Sequence, residues 1–176
     1  MQVAVLDFSA LRNHMESDMM HDALRADVYV ALHAGPQAST ADKQAIRDAL
    51  AEHVKRFKDN LINNDALPLD KGIKAALAEV RVPLDAYIRS ADRIVNLALT
   101  DSAMEAVQLN EFGAAFRALE VQMEKLGDRI EAANEQGMLS SRATVTTAEA
   151  TILIFSSVAV LVSLLLAWLI PSQIGS

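Results

Sequence analysis

Apolar side chains recur every three or four residues through the first 150 residues, which is the spacing of one face of an α-helix. The recurrence occurs in four segments, and none of them shows the alternation of a β-strand. The recurring positions are Leu11, Met15, Met19, Met20, Leu24, Val28 and Leu32, then Ile46, Leu50, Phe57 and Leu61, then Ile73, Leu77, Val80, Leu84, Ile88 and Val95, then Phe112, Phe116, Leu119, Met123, Leu126 and Ile130. The pattern predicts four amphipathic helices that share a core.

Stretches of turn-forming residues separate the four segments. They are "HAGPQAST" at 33–40, "NNDALPLDKG" at 63–72 and "LTDSAMEA" at 99–106. In the first stretch, Ser39 or Thr40 is suited to cap the helix that follows. These signals predict helices near 4–34, 40–64, 70–99 and 102–150.

Long helices joined by short turns pack as antiparallel neighbours. The predicted fold class is therefore all-α, an antiparallel up-down four-helix bundle with both chain ends at the same end. Pro83 falls inside the third helix, where it predicts either a kink or a helix that begins after a break at Val82.

The segment "TILIFSSVAVLVSLLLAWLI", Thr151–Ile170, has no charged residue. Twenty helical residues cover the roughly 30 Å of a bilayer's hydrocarbon core, and Trp168 stands where an indole meets the headgroups. We therefore expect a bundle domain at 1–150, a transmembrane helix at 151–170 that continues the fourth helix and contacts lipid, and the start of a connector at 171–176. The segment "PSQIGS" has no Lys or Arg that would set the orientation.

Composition narrows the classes of function. The chain has a net charge of −7, which makes nucleic acid an unexpected partner, and it has no cysteine, which excludes thiol chemistry and Cys-ligated metals. It contains no Glu-x-x-His, no His-Glu-x-x-His, no Gly-x-Ser-x-Gly and no glycine-rich phosphate loop. We expect neither catalysis nor a cofactor.

The histidines offer one metal hypothesis. His14 and His21 are seven residues apart on one face of the first helix, where two imidazoles can meet a metal or a b-type haem. The alternative, which the sequence favours, is a solvated helix face. His33 is expected to be a cation at the end of the first helix, and His53 is expected on a solvated face.

Several arginines lie at a similar depth in the predicted bundle, one to three helical turns away from the loops near Gly35 and Thr100. We call this depth the distal layer. At 1.5 Å per residue, Arg25 lies about 13 Å from its turn, and Arg89 and Arg93 lie about 9 to 15 Å from theirs. Tyr29, Tyr87, Asn96, Arg47, Gln108 and Glu111 fall close to the same depth. An arginine fork suits a small carboxylate, although Asp22, Asp85 and Asp92 are also spaced to form ordinary ion pairs with these arginines.

Several runs of the sequence together resemble a known protein family. They are "MESDMMHDALRADVYVALHAG", "FKDNL", "PLDAYIRSADRIV" and "FGAAFRALEVQMEKLGDRIE", followed by a segment ending "WLIPSQIGS". The chain resembles the sensor region of bacterial methyl-accepting chemotaxis proteins, in particular their four-helix-bundle ligand-binding class. The resemblance implies a periplasmic homodimeric sensor in the inner membrane, flanked by two spanning helices and followed by a HAMP relay and a signalling coiled coil. A first spanning helix and the relay are not in this chain, so we expect it to bind without signalling.

The best-known receptors of that class hold an amino-acid carboxylate with first-helix arginines from both subunits. The expected function is therefore sensing of a small carboxylate, an amino acid or organic acid, with dimer contacts around Met15, Met19 and Met20. The expected ligand-binding residues are Arg25, Tyr29, Tyr87, Arg89 and Arg93, with His21 as a weaker candidate. Two alternatives stay open: the sensor of a histidine kinase or cyclase, and a tail-anchored helical scaffold without a small ligand.

Overall fold

The computed structural model describes the backbone of residues 2–100 and 106–174, and the side chains of 8–100, 108–139, 153–157 and 160. Within these residues the regular structure is entirely helical, which confirms the all-α class. The helices are α1 (Gln2–Ala34), α2 (Thr40–Ala66), α3 (Lys71–Thr100) and α4 (Ala106–Ile174). The predicted ends of the first three helices agree with the structure to within two residues. Most of the third predicted turn, 101–105, lies outside the described residues.

Local chemistry explains where α1 ends and α2 begins. Gly35 follows α1 with φ of +65°, a left-handed conformation that glycine adopts without a Cβ penalty, and its N–H donates to the Ala31 carbonyl at 3.0 Å. Ser39 is the N-cap of α2, where its hydroxyl oxygen accepts from the Asp42 N–H at 3.1 Å. The predicted cap is therefore confirmed at Ser39.

Helix α3 runs through Pro83 without a break, so the predicted start after Val82 is wrong. Proline lacks the N–H that would bond the Glu79 carbonyl. Glu79 and Val82 are exposed, so water can reach this turn, while Val80 and Leu84 on the opposite side are buried. Burial of that apolar side holds the helix together across the missing bond.

The chain divides into two compact units, Met1–Asn134 and Glu135–Ser176, and the division falls within α4. The domain boundary predicted at 150 stays a prediction. Among the described residues, no helix is both long enough and apolar enough to cross a membrane. Most side chains of the predicted span 151–170 lie outside that description, so the span also stays a prediction.

Contacts between helices of the first unit show that sequence neighbours run antiparallel. In each neighbouring pair, residues later in one helix meet residues earlier in the other. The pairs are Asn13 with Asn64 and Asp27 with His53 for α1 and α2, Arg47 with Asn96 and Lys58 with Asp85 for α2 and α3, Tyr87 with Phe112 and Gly72 with Arg129 for α3 and α4, and His14 with Gly127 and His21 with Phe116 for α4 and α1. This is the up-down arrangement of a four-helix bundle.

Every recurring apolar residue predicted for α2 lies in the core. Of the recurring apolar residues predicted for α3 and α4, only Ile88 and Phe116 are less than fully buried. On α1 the prediction was partly wrong. Met20, Leu24 and Val28 are buried, but Met15 and Met19 point away from the core, with 59% and 65% of their surface exposed. In the first half of α1, the side that faces the core is instead built from small and polar residues, namely Ala10, Asn13, Ser17 and His21.

Candidate functional site

Arg25 is the best-positioned cation of the distal layer. Its guanidinium carbon lies 4.4 Å from the centroid of the Phe116 ring, so an aromatic side chain of α4 supports the cation. One nitrogen donates to Asp22 at 2.8 Å, and the side chains of Arg25 and Asp22 are 41% and 63% exposed. The alternative interpretation of an ion pair at i, i+3 is therefore confirmed for this arginine, and such an exposed pair contributes about 0.2–1 kcal/mol.

Phe116 joins Arg25 to His21. The His21 ring stacks on the same phenyl ring, with 4.0 Å between centroids and 11° between planes. His21 is 3% exposed, and its Nε2 has no hydrogen-bond partner among the described residues. The expectation of a solvated face for His21 is wrong, because this imidazole lies inside the contact between α1 and α4.

Burial decides the protonation of His21. Desolvation lowers its pKa below the ordinary value of 6.5, against the opposing effects of a hydrogen bond to the Phe116 backbone and of the negative charges of Asp22, Asp18 and Glu120. Neutral imidazole is therefore the favoured form at pH 7.

Tyr87 closes the cluster from α3. It is fully buried, stacks on Phe112 with 5.2 Å between centroids, and donates its hydroxyl proton to the His21 carbonyl at 3.0 Å. Desolvation raises its pKa, while the Arg25 charge acts in the opposite direction. The predicted role of Tyr87 as a hydroxyl donor to a ligand conflicts with this geometry, since its one proton is already used inside the core.

The other predicted ligand-binding residues lie apart from this cluster. Tyr29 is 58% exposed on α1, and Arg89 is exposed on α3. Arg93 faces Glu111 of α4 at 3.9 Å, again between exposed side chains. Arg25 and Arg93 thus both reach α4, one over Phe116 and the other toward Glu111, rather than converging on one pocket within a single bundle.

His14 occupies a half-buried position at the α1–α4 contact. A Cβ placed on Gly127 would lie 2.7 Å from its Nε2, so the glycine makes room for the ring, and its Nδ1 is buried without a partner among the described residues. Desolvation lowers its pKa against the attraction of Asp18. Within the part of the chain that the structure describes, no group of three or more His, Asp or Glu side chains is arranged to hold a metal.

Two further polar contacts were missed from the sequence. His53 was expected on a solvated face, but its Nδ1 lies 2.7 Å from Asp27 Oδ2, in a half-buried pair between α2 and α1. Arg47 of α2 donates to Asn96 of α3 at 3.4 Å, beside a groove between these helices. For the contact of Arg47 with Asn96, the similar depth of the two residues was the only signal in the sequence. For the contact of His53 with Asp27, no local spacing gives a signal.

Comparison with known protein families, curated proteins and solved structures gives no match to this chain. The fold and the site therefore define its class by themselves, as an all-α bundle whose distal layer carries a supported arginine beside a buried imidazole.

Proposed function

We propose that this chain is the sensing part of a membrane-bound signal transducer of the chemotaxis type that its sequence resembles. The bundle binds a small carboxylate, an amino acid or organic acid, in the distal layer and passes a helix displacement on through α4. The observation that carries the proposal is Arg25, a cation whose guanidinium carbon lies 4.4 Å from the centroid of the Phe116 ring while its side chain stays partly open to solvent.

The support from Phe116 matters because an arginine fork binds a carboxylate best when its plane is already fixed. Asp22 is a weak competitor, since it is itself largely exposed and pairs with Arg25 through a single 2.8 Å bond. A ligand carboxylate can take its place and form two parallel bonds. A hydrogen bond to a charged group contributes about 1.5–3 kcal/mol.

The partner proposed for the bundle is a second copy of itself. Phe8, Met15, Met19 and Tyr29 are each more than half exposed and follow one side of α1, directly opposite its core face at Leu24 and Val28. Apolar burial contributes about 25 cal/mol per Å², so covering this stripe favours association. Asp22 lies within the stripe and Arg25 borders it, which would place the ligand beside the dimer contact, as the resemblance implies.

The remaining parts of the proposal rest on the sequence. Residues 151–170 anchor the chain in the inner membrane, and the bundle lies on the periplasmic side. Chemotaxis output is preferred on the resemblance, and the same binding chemistry would serve a histidine kinase or a cyclase.

Titration calorimetry of the full chain against amino acids and di- and tricarboxylates tests the site. We expect at least one saturable binder, whose affinity Arg25→Ala lowers about ten- to a hundred-fold, because the charge-assisted bonds are lost. Lys55→Ala is the control, since Lys55 is an exposed cation paired with Asp59 one turn along α2. Binding by no member of the panel, or binding indifferent to Arg25, Arg89 and Arg93 substitutions, contradicts the proposal and leaves the scaffold alternative ahead.

Sedimentation of the same samples tests the proposed dimer. Met15→Glu with Met19→Glu should shift the chain toward monomer, because charges then line the stripe on α1. Val82→Glu is the matched control, as Val82 is an exposed apolar residue of α3. An unchanged sedimentation profile for the α1 variant would place the contact elsewhere.

A further inference from the structure

A groove between α2 and α3 lies in the distal layer on the side of the bundle away from Phe116. It has a volume of about 290 Å³ and is lined by Arg47, Leu50, Ala51, Val54, Ile88 and Asp92. This volume is at the small end of the range for ligand pockets, which suits a molecule of amino-acid size. Leu50, Val54 and Ile88 make its floor apolar.

The polar end of the groove has two opposite charges on either side of one amide. The Asn96 carboxamide oxygen accepts from Arg47 Nε at 3.4 Å, and its nitrogen donates to Asp92 Oδ1 at 3.2 Å. Both bonds are long for their type, so they are weak and easily replaced. Among the residues that the structure describes, neither Arg47 nor Asp92 forms an ion pair, whereas Lys58 pairs with Asp85 between the same two helices.

We infer that this groove binds an apolar α-amino acid as its zwitterion. The carboxylate accepts from Arg47, the ammonium donates to Asp92, and the side chain covers Leu50, Val54 and Ile88. The Asn96 amide already presents the same pattern of one acceptor toward the arginine and one donor toward the aspartate. The site lies on α2 and α3, so it does not depend on the carboxylate site proposed at Arg25.

The pairing of charges sets the class of ligand. A carboxylate alone would leave Asp92 unpaired beside it, and an amine alone would leave Arg47 unpaired, so each lacks one of the two favourable contacts. The apolar floor adds a preference for a branched or linear hydrocarbon side chain over a charged one.

Calorimetry of the full chain with L-leucine, 4-methylpentanoate and 3-methylbutylamine tests the inference, because the three share a side chain and differ only in the charged groups. Leucine should bind at least about ten-fold more tightly than either analogue, since each analogue lacks one charge-assisted contact. Arg47→Gln and Asp92→Asn should each weaken leucine binding by a similar factor. Ala51→Leu, which fills the groove without changing its charge, should also weaken it.

Controls separate this site from the site at Arg25. Lys55→Gln changes an exposed cation of α2 outside the groove and should leave leucine binding unchanged, and thermal melts of each variant verify that it is folded. Leucine binding that survives Arg25→Ala but is lost in the groove variants supports the inference. No saturable heat at millimolar leucine, equal affinity for leucine and 4-methylpentanoate, or sensitivity to Arg25 without sensitivity to Arg47 and Asp92 overturns it.

Discussion

Helix α1 contacts α2 and α4 through two kinds of buried polar group. Against α2, the groups are paired: Asn13 donates to the Asn64 side chain at 2.9 Å, and Asn64 donates to the Ala10 carbonyl at 3.1 Å. Against α4, His14 and His21 each bury a ring nitrogen that has no partner among the described residues. The first contact is directional, and the second depends on stacking and fit.

The difference determines how each contact resists movement. A buried hydrogen bond between helices holds at one height only, because a shift by one turn leaves both partners unsatisfied. Stacking of His21 on Phe116 and close packing of His14 on Gly127 lose energy more gradually as the helices slide. We therefore expect α1 and α2 to move as one body, and the α1–α4 contact to absorb displacement, as the proposed sensing function requires.

We expect the largest loss of stability when the α1–α2 contact is broken at Asn64. Asn64→Ala removes the partner of Asn13 and leaves its buried amide unsatisfied, so the free energy of unfolding should fall by about 2–4 kcal/mol. Urea denaturation measures the change, with the exposed neighbour substitution Asn63→Ala as the control, expected within about 0.5 kcal/mol of the parent. Replacing both Asn13 and Asn64 by leucine should recover much of the loss, and a double variant no better than Asn64→Ala would contradict the pairing.

A smaller effect is expected when the α1–α4 contact is overpacked at Gly127. Gly127→Ala places a methyl group 2.7 Å from His14 Nε2, and the resulting strain of about 1–3 kcal/mol should exceed the helix-propensity gain of about 1 kcal/mol. The matched control is Gly113→Ala on the same helix. Its nearest neighbour is the flexible end of Arg117 at 3.4 Å, so the control should stabilise the chain. Thermal melts that show both variants stabilised would mean that His14 moves aside at little cost.

The smallest effect that we expect is a dependence of the free energy of unfolding on pH, which comes from the two histidines at the α1–α4 contact. The pKa values of His14 and His21 are lowered below 6.5 chiefly by desolvation, so the unfolded chain binds protons first as the pH falls. Their contribution to stability is complete above about pH 6.5 and is lost as the pH falls from there through the lower folded-state values. The groups that face His21 are Asp18 and Asp22 of α1, Glu120 of α4 and Tyr87 of α3.

Denaturation of the parent and of His21→Phe between about pH 7.5 and pH 5 measures this contribution. Phenylalanine keeps the stack on Phe116 and cannot be protonated, so the variant should lose less stability on acidification. His33→Gln, which removes an exposed histidine at the end of α1, is the comparison variant. Identical slopes for the parent and His21→Phe would show that His21 does not titrate in this range.

The sequence was sufficient for features that depend on short spacings. Helix lengths, the cap at Ser39 and the stripes of α2, α3 and α4 follow from recurrences of three and four residues and from turn chemistry. The same reasoning gave the wrong face for the first half of α1. There, exposed methionines form the more hydrophobic side, and the core side carries asparagine, serine and histidine that only tertiary contacts satisfy or shield.

The candidate site was predicted in part, for a related reason. Depth along a helix could be predicted for Arg25, Arg47 and Asn96, because the rise per residue is fixed. Depth does not determine the direction in which a side chain points around the bundle. The burial of Tyr87 and the support of Arg25 by Phe116 therefore depend on how α3 and α4 pack, which no local spacing encodes.

Pro83 leaves one turn of α3 without its amide hydrogen bond. Because the Glu79 carbonyl receives no N–H from residue 83, the ladder of amide bonds is interrupted there although the helix continues. In hydrogen exchange, we therefore expect the amides next to Pro83 to open more readily than those farther along α3. Tyr87, Asp92 and Asn96 all lie on the C-terminal side of this turn, so the turn separates the residues that face both candidate sites from the first half of α3.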